Sequence, residues 1–117
     1  MRFWQLESCA VQAHRPEILH SAQGAHRVIL LALPAGELLQ EHQVHEHALV
    51  FLTEGRLQID SNGESQELTA PGLAHFQPSE RHEVRALNDC RLVLCLTPWP
   101  GTGHPGVRAS VDLDGAA

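Results

Sequence analysis

Turn-forming residues recur so regularly through the middle of this chain that helical periodicity is hard to sustain anywhere after Ala25, and this constrains the fold more than any other feature. The run Val28 to Leu33 stops at Pro34-Ala35-Gly36, and Leu49-Val50-Phe51-Leu52 stops at Thr53-Glu54-Gly55. Apolar runs of that length fit strands covered on both faces. From Arg56 to Asp60 the pattern alternates, with Leu57 and Ile59 on one side and Arg56, Gln58 and Asp60 on the other, as in a half-buried strand. Ser61-Asn62-Gly63 supplies a hairpin turn into Glu64 to Thr69, and Pro71-Gly72 makes the next corner. His82, Val84 and Ala86 alternate with Glu83, Arg85 and Leu87 before Asn88-Asp89 turns the chain into Arg91 to Leu96. Short strands at turn intervals of this kind predict an all-β fold, an antiparallel double-sheet barrel or jelly roll.

With 117 residues the chain makes one domain, large enough to bury a core without disulfide staples. Its parts differ in character. Residues 1–24 read as an N-terminal extension with an edge strand or turn near Pro16 to Leu19, 25–97 as the barrel, and 98–117 as an irregular tail with Trp99 as its apolar anchor. Fourteen acidic residues face eight basic ones, all arginine, for a net charge of −6, so nucleic acid is not an expected partner. Lysine and tyrosine are absent, which removes Schiff-base chemistry and a tyrosine acid or base. No apolar run reaches the length of a membrane helix, and no membrane partner is expected. Cys9, Cys90 and Cys95 form no C-x-x-C pair, and the first residues lack an export pattern; both fit a reducing cytoplasm.

The segment from Pro34 to Gly55 resembles the first motif of the cupin superfamily, which runs G, five residues, H-x-H, three or four residues, E, six residues, G. Gly36 places His42 at the first histidine and Val44 at the second, and Gly55 places Ala48 at the glutamate. The second cupin motif, G, five residues, P-x-G, two residues, H, three residues, N, is similar to Gly72 through Ala86. Gly72 and Pro78 match, the stretch to His82 is one residue short and lacks its glycine, and Ala86 stands at the asparagine. The resemblance implies a small barrel of two sheets with a metal held between them and His42 and His82 at two ligand positions; it also points to a homodimer, which the apolar runs Val28 to Leu33 and Leu92 to Leu96 lead us to expect, since they offer more two-faced strand than one small barrel can cover.

Nine histidines are the chemical surplus of the chain. His42 and His82 lead as metal ligands, with His45 and His47 as further candidates if a bulge after His42 turns one of them inward. Gln43, His75 and Gln77 are candidates for the substrate pocket. Imidazoles without a carboxylate suit Zn, Ni or Cu at least as well as Fe or Mn, and no organic cofactor is signalled. Alternation points Glu41 and Glu83 away from His42 and His82, and Glu80-Arg81 is positioned to pair within its turn. The functional expectation is a barrel whose mouth takes a small-molecule ligand, with or without a divalent metal. Enzyme and binder stay open: a metal would act as a Lewis acid on a carbonyl or carboxylate or, as iron, on dioxygen, in oxygenase, isomerase or lyase chemistry. The alternatives are a metal-free binding or sensory barrel and a structural dimerisation module.

Overall fold

The computed structural model describes residues 1–39 and 44–103. Among these residues, nine strands come after one short 3-10 turn at Leu6–Ser8: β1 Glu17–Ala22, β2 His26–Leu33, β3 Leu38–Leu39, β4 His47–Glu54, β5 Arg56–Ser61, β6 Glu64–Thr69, β7 Gly72–Phe76, β8 His82–Ala86 and β9 Cys90–Thr97. They form a five-stranded sheet in the order β1-β2-β9-β4-β7 and a four-stranded sheet in the order β3-β8-β5-β6, with every named pairing antiparallel. Among the described residues, no helix is long and apolar enough to cross a membrane. The three apolar runs of the sequence are the three middle strands of the larger sheet, as their two-sided hydrophobicity requires.

The core lies between the sheets. Val50, Leu52 and Leu92 of one sheet meet Leu57, Ile59, Val84 and Ala86 of the other, with Leu33, Ala48, Phe76, Cys90 and Leu96 completing the cluster. In β5 and β8 the inward set is the alternation legible in the sequence, Leu57 and Ile59, then Val84 and Ala86. Asn62 and Gly63 sit at φ 52 and 78, the left-handed pair that a two-residue hairpin needs between β5 and β6. Gly55, at φ 94, carries the chain from one sheet to the other; a Cβ there would fall 2.5 Å from the Asp89 carbonyl oxygen, so the crossing admits only glycine.

Leu30 is fully buried although it stands outside the inter-sheet core. Pairing of Leu30 with Val93 and of Ala32 with Arg91 puts these residues on the outer face of the larger sheet. There the Arg91 guanidinium donates to the carbonyl oxygens of Leu6 and Cys9, drawing the N-terminal segment across that face. The second apolar side of β2 is thus covered from within the chain. The cover ends before β4 and β7, where the cross-strand neighbours Phe51 and Leu73 stay 44% and 60% exposed.

Candidate functional site

At one end of the barrel the alternation of β5 continues past Ile59 to Ser61, which lies opposite His82 on β8. His82 is half-buried, its ring stacked on Phe76 of the facing sheet with centroids 3.8 Å apart and planes 9° from parallel. Its Nδ1 lies 3.1 Å from the Glu80 carbonyl oxygen. A carbonyl can only accept, so Nδ1 is the donor in this pair.

Glu80 organises this corner. Its Oε1 accepts the Gln77 backbone N–H at 2.9 Å, and its Oε2 is 2.6 Å from the Ser61 hydroxyl. That hydroxyl has one proton and a second acceptor, the Arg81 carbonyl at 2.8 Å; the charged oxygen at the shorter distance takes it. The Ser61 bond first and the Gln77 N–H second hold the Glu80 carboxyl below its ordinary range, against a smaller opposing effect of burial. Glu80 therefore braces the turn that presents His82, in place of the pairing with Arg81 that adjacency in sequence suggests.

Beside this corner the two sheets part between their edge strands β6 and β7, leaving a cleft of about 380 Å³. Ile59, Leu68 and Phe76 line it with apolar surface; Ser61, Asn62, Gln66, Glu64, Glu67 and Glu80 line it with hydroxyl, amide and carboxylate groups. Glu64 and Gln66 lie opposite Ser61 and Ile59 in register, so the inner face of β6 is polar where other strands are apolar.

The remaining candidates are scattered. His42 and Gln43 lie outside the described residues, as does His104. Val44 packs against the core and Ala48 is buried within it, so these two motif positions face inward and offer no donor. His47 does not join His82. The pairing of β4 with β9 runs unbroken from His47 to Leu52, which places His47 on the outer face, out of phase with the buried Ala48. There its Nδ1 lies 2.8 Å from Nε2 of His75, a residue of the β7 edge that borders the cleft from outside. His45 turns instead toward the C-terminal strap, with Nδ1 3.5 Å from where a Cβ on Gly103 would stand. Gln77 is exposed, and among the described residues it serves the corner through its backbone N–H.

One carboxylate does occupy the inward phase of this segment. Glu46, two residues before Ala48, is 1% exposed, and its Oε2 accepts the Gly101 backbone N–H at 2.7 Å. Gly101 approaches so closely that a Cβ would fall 2.3 Å from the His45 carbonyl oxygen. Glu46 is committed to fastening the strap that continues from β9, and Trp99 on that strap packs against the core while the Arg27 guanidinium lies 4.3 Å over its ring. Among the described residues no group of three or more His, Cys, Asp or Glu is placed to hold a metal ion. The described donors do not fit a firmly bound metal, which takes at least three protein ligands.

Ser61, Glu64, Gln66 and Glu80 were not candidates from sequence. Carrying the Leu57-Ile59 alternation one step further finds Ser61; the β6 pair emerges only through the hairpin register, because Glu64 to Glu67 has no apolar period of its own.

No protein-family model matches the chain, and no curated protein matches it in sequence. Solved structures do match. An RmlC-like cupin protein from Desulfovibrio desulfuricans superposes with TM-score 0.70 at 18% identity, over 84% of this chain and 97% of its own. Protein NMB1881 from Neisseria meningitidis gives 0.67 at 22% identity, over 81% and 98%. An RmlC-like cupin family protein with a double-stranded β-helix fold, from Methanocaldococcus jannaschii, gives 0.66 at 11% identity, over 80% and 89%.

Proposed function

The chain is a small cupin-fold barrel, and we propose that it binds a neutral polyhydroxylated small molecule, of the sugar or polyol class, in the cleft between β6 and β7. The observation that carries this reading is the lining of the cleft. Carboxylate, amide and hydroxyl groups of Glu64, Glu80, Gln66 and Ser61 accept and donate hydrogen bonds above the apolar surface of Ile59, Leu68 and Phe76. Ligand hydroxyls supply the matching donors and acceptors, and their C–H faces match the apolar floor. Three carboxylates on the lining disfavour an anion.

A second reading has one observation in its favour: His82 stands on the inner face at the motif position where the family keeps a ligand. There His42 and His82 would hold a divalent ion, Zn, Ni, Cu, Fe or Mn, and the ion would supply Lewis-acid chemistry. One titration separates the two readings. Calorimetry with a panel of neutral monosaccharides and polyols, in EDTA, is expected to find a binder and to lose it in Glu80→Gln and Gln66→Ala. Binding that disappears in EDTA and returns with zinc would favour the metal reading, and no binding with or without metal would overturn both.

We take the protein to be cytoplasmic, in keeping with the free cysteines Cys9, Cys90 and Cys95. We also take it to be a homodimer, the exposed Phe51 and Leu73 being apolar surface that a second copy would cover.

A further inference from the structure

The opposite edge of the sandwich opens as well, and its chemistry is reversed. β1 accompanies β2 only as far as the pairing of Glu17 with Leu30, while β2 runs on to Leu33. The N-terminal segment leaves the sheet at that point. It folds back in a turn closed by the Arg15 N–H on the Gln12 carbonyl oxygen at 3.1 Å, with His14 in the left-handed region at φ 64. Between this turn and β3, the edge of the other sheet, lies a cleft of about 630 Å³. Leu31, Leu33 and Leu39, all packed in or against the core, form its floor.

Arg15 and Arg85 stand on its walls, two of the eight cations of a chain with net charge −6. Glu37 is the one carboxylate on the lining among the described residues, and it already faces His14 Nε2 at 3.2 Å. Among the described residues the Arg85 guanidinium makes only long contacts, 3.4 Å to the Gly36 carbonyl oxygen and 3.8 Å to Glu83. Arg15 is exposed, and its side chain makes no hydrogen bond or ion pair among the described residues. Guanidinium groups above a leucine floor match a ligand with a carboxylate at one end and hydrocarbon at the other, because the planar fork takes both carboxylate oxygens while the apolar body leaves water.

We infer that this cleft is a second binding site, for an amphipathic monocarboxylate such as a medium-chain or arylalkyl acid. The site is separate from the β6–β7 cleft and does not depend on that reading. Octanoate is the probe. Calorimetric titration of the full chain is expected to show binding, weakened about tenfold or more by Arg15→Gln and by Arg85→Gln, each of which removes a charge-assisted pair. Octanol, with the same hydrocarbon and no carboxylate, is expected to bind at least about tenfold more weakly than octanoate. Both arginines are exposed, so the substitutions leave the core intact. Arg81→Gln, just before the other end of β8 and off the lining of this cleft, is the control and should leave octanoate binding unchanged. Equal binding of octanoate and octanol, unchanged binding in both arginine variants, or no octanoate binding at millimolar concentration would each overturn the inference.

Discussion

Glu46 and Gly101 form a close, buried junction between the barrel and its C-terminal strap. A buried carboxylate that accepts one backbone N–H leaves that N–H and itself stranded if either is altered. Gly101→Ala is therefore expected to destabilise the fold by about 2 kcal/mol or more, since the new methyl group meets the His45 carbonyl carbon and oxygen rather than a side chain that could swing away. Chemical denaturation checks this, and a loss no larger than that of an exposed-site control such as Glu64→Ala would contradict it. In the core, Leu57→Ala should cost about 3 to 5 kcal/mol, because the side chain is fully buried between the sheets. Glu80 gives a pH signature. Its folded carboxyl titrates below its unfolded value, so its contribution is present above the ordinary carboxylate range and is lost as pH falls through the folded value. Glu80→Gln should flatten the fall of stability with acid, as read from unfolding midpoints between neutral pH and the acid limit; an unchanged slope would contradict the assigned hydrogen bonds.

Among the elements, the strands whose sequences alternate or run apolar were the ones legible beforehand. Leu57-Ile59 and Val84-Ala86 state their inward faces, and the runs in β2, β4 and β9 state that both faces are covered. What the sequence did not state was what covers them. Leu30 lies under an N-terminal segment with no apolar period, held by an arginine that bonds to backbone oxygens, which any residue supplies. For the same reason the polar inner face of β6 was hidden, and with it most of the cleft. Among the described histidines phase decides: Val44, Glu46 and Ala48 share the inward alternation, so His47 falls on the outer face, where it meets His75. Arg91→Ala should release the N-terminal segment: amides of residues 6–9 and of Leu30 are expected to exchange hydrogen faster, while those of β5 and β8 are unchanged. Equal protection in the variant would show that the segment is held by something other than Arg91.

At the scale of the molecule, the sandwich is open along both of its edges, and the two openings carry opposite chemistry. The β6–β7 edge gathers carboxylates, amides and a hydroxyl next to His82; the β2–β3 edge gathers arginines over leucine. Among the described residues, one barrel thereby presents two clefts of different charge without altering the common core. If a homodimer forms through Phe51 and Leu73, sedimentation at micromolar concentration should give twice the monomer mass and Phe51→Glu should return it to one; a wild-type monomer would contradict that proposal. The measurement that bears most directly on the β6–β7 cleft is nitrogen-15 chemical-shift mapping of the metal-free protein titrated with its best neutral sugar or polyol. The amides of Ser61, Gln66, Gln77 and His82 are expected to move together with one saturation curve, while those of Arg15 and Leu39 stay in place. Shifts confined to the β2–β3 edge, or no saturable shift at the β6–β7 cleft, would contradict the account.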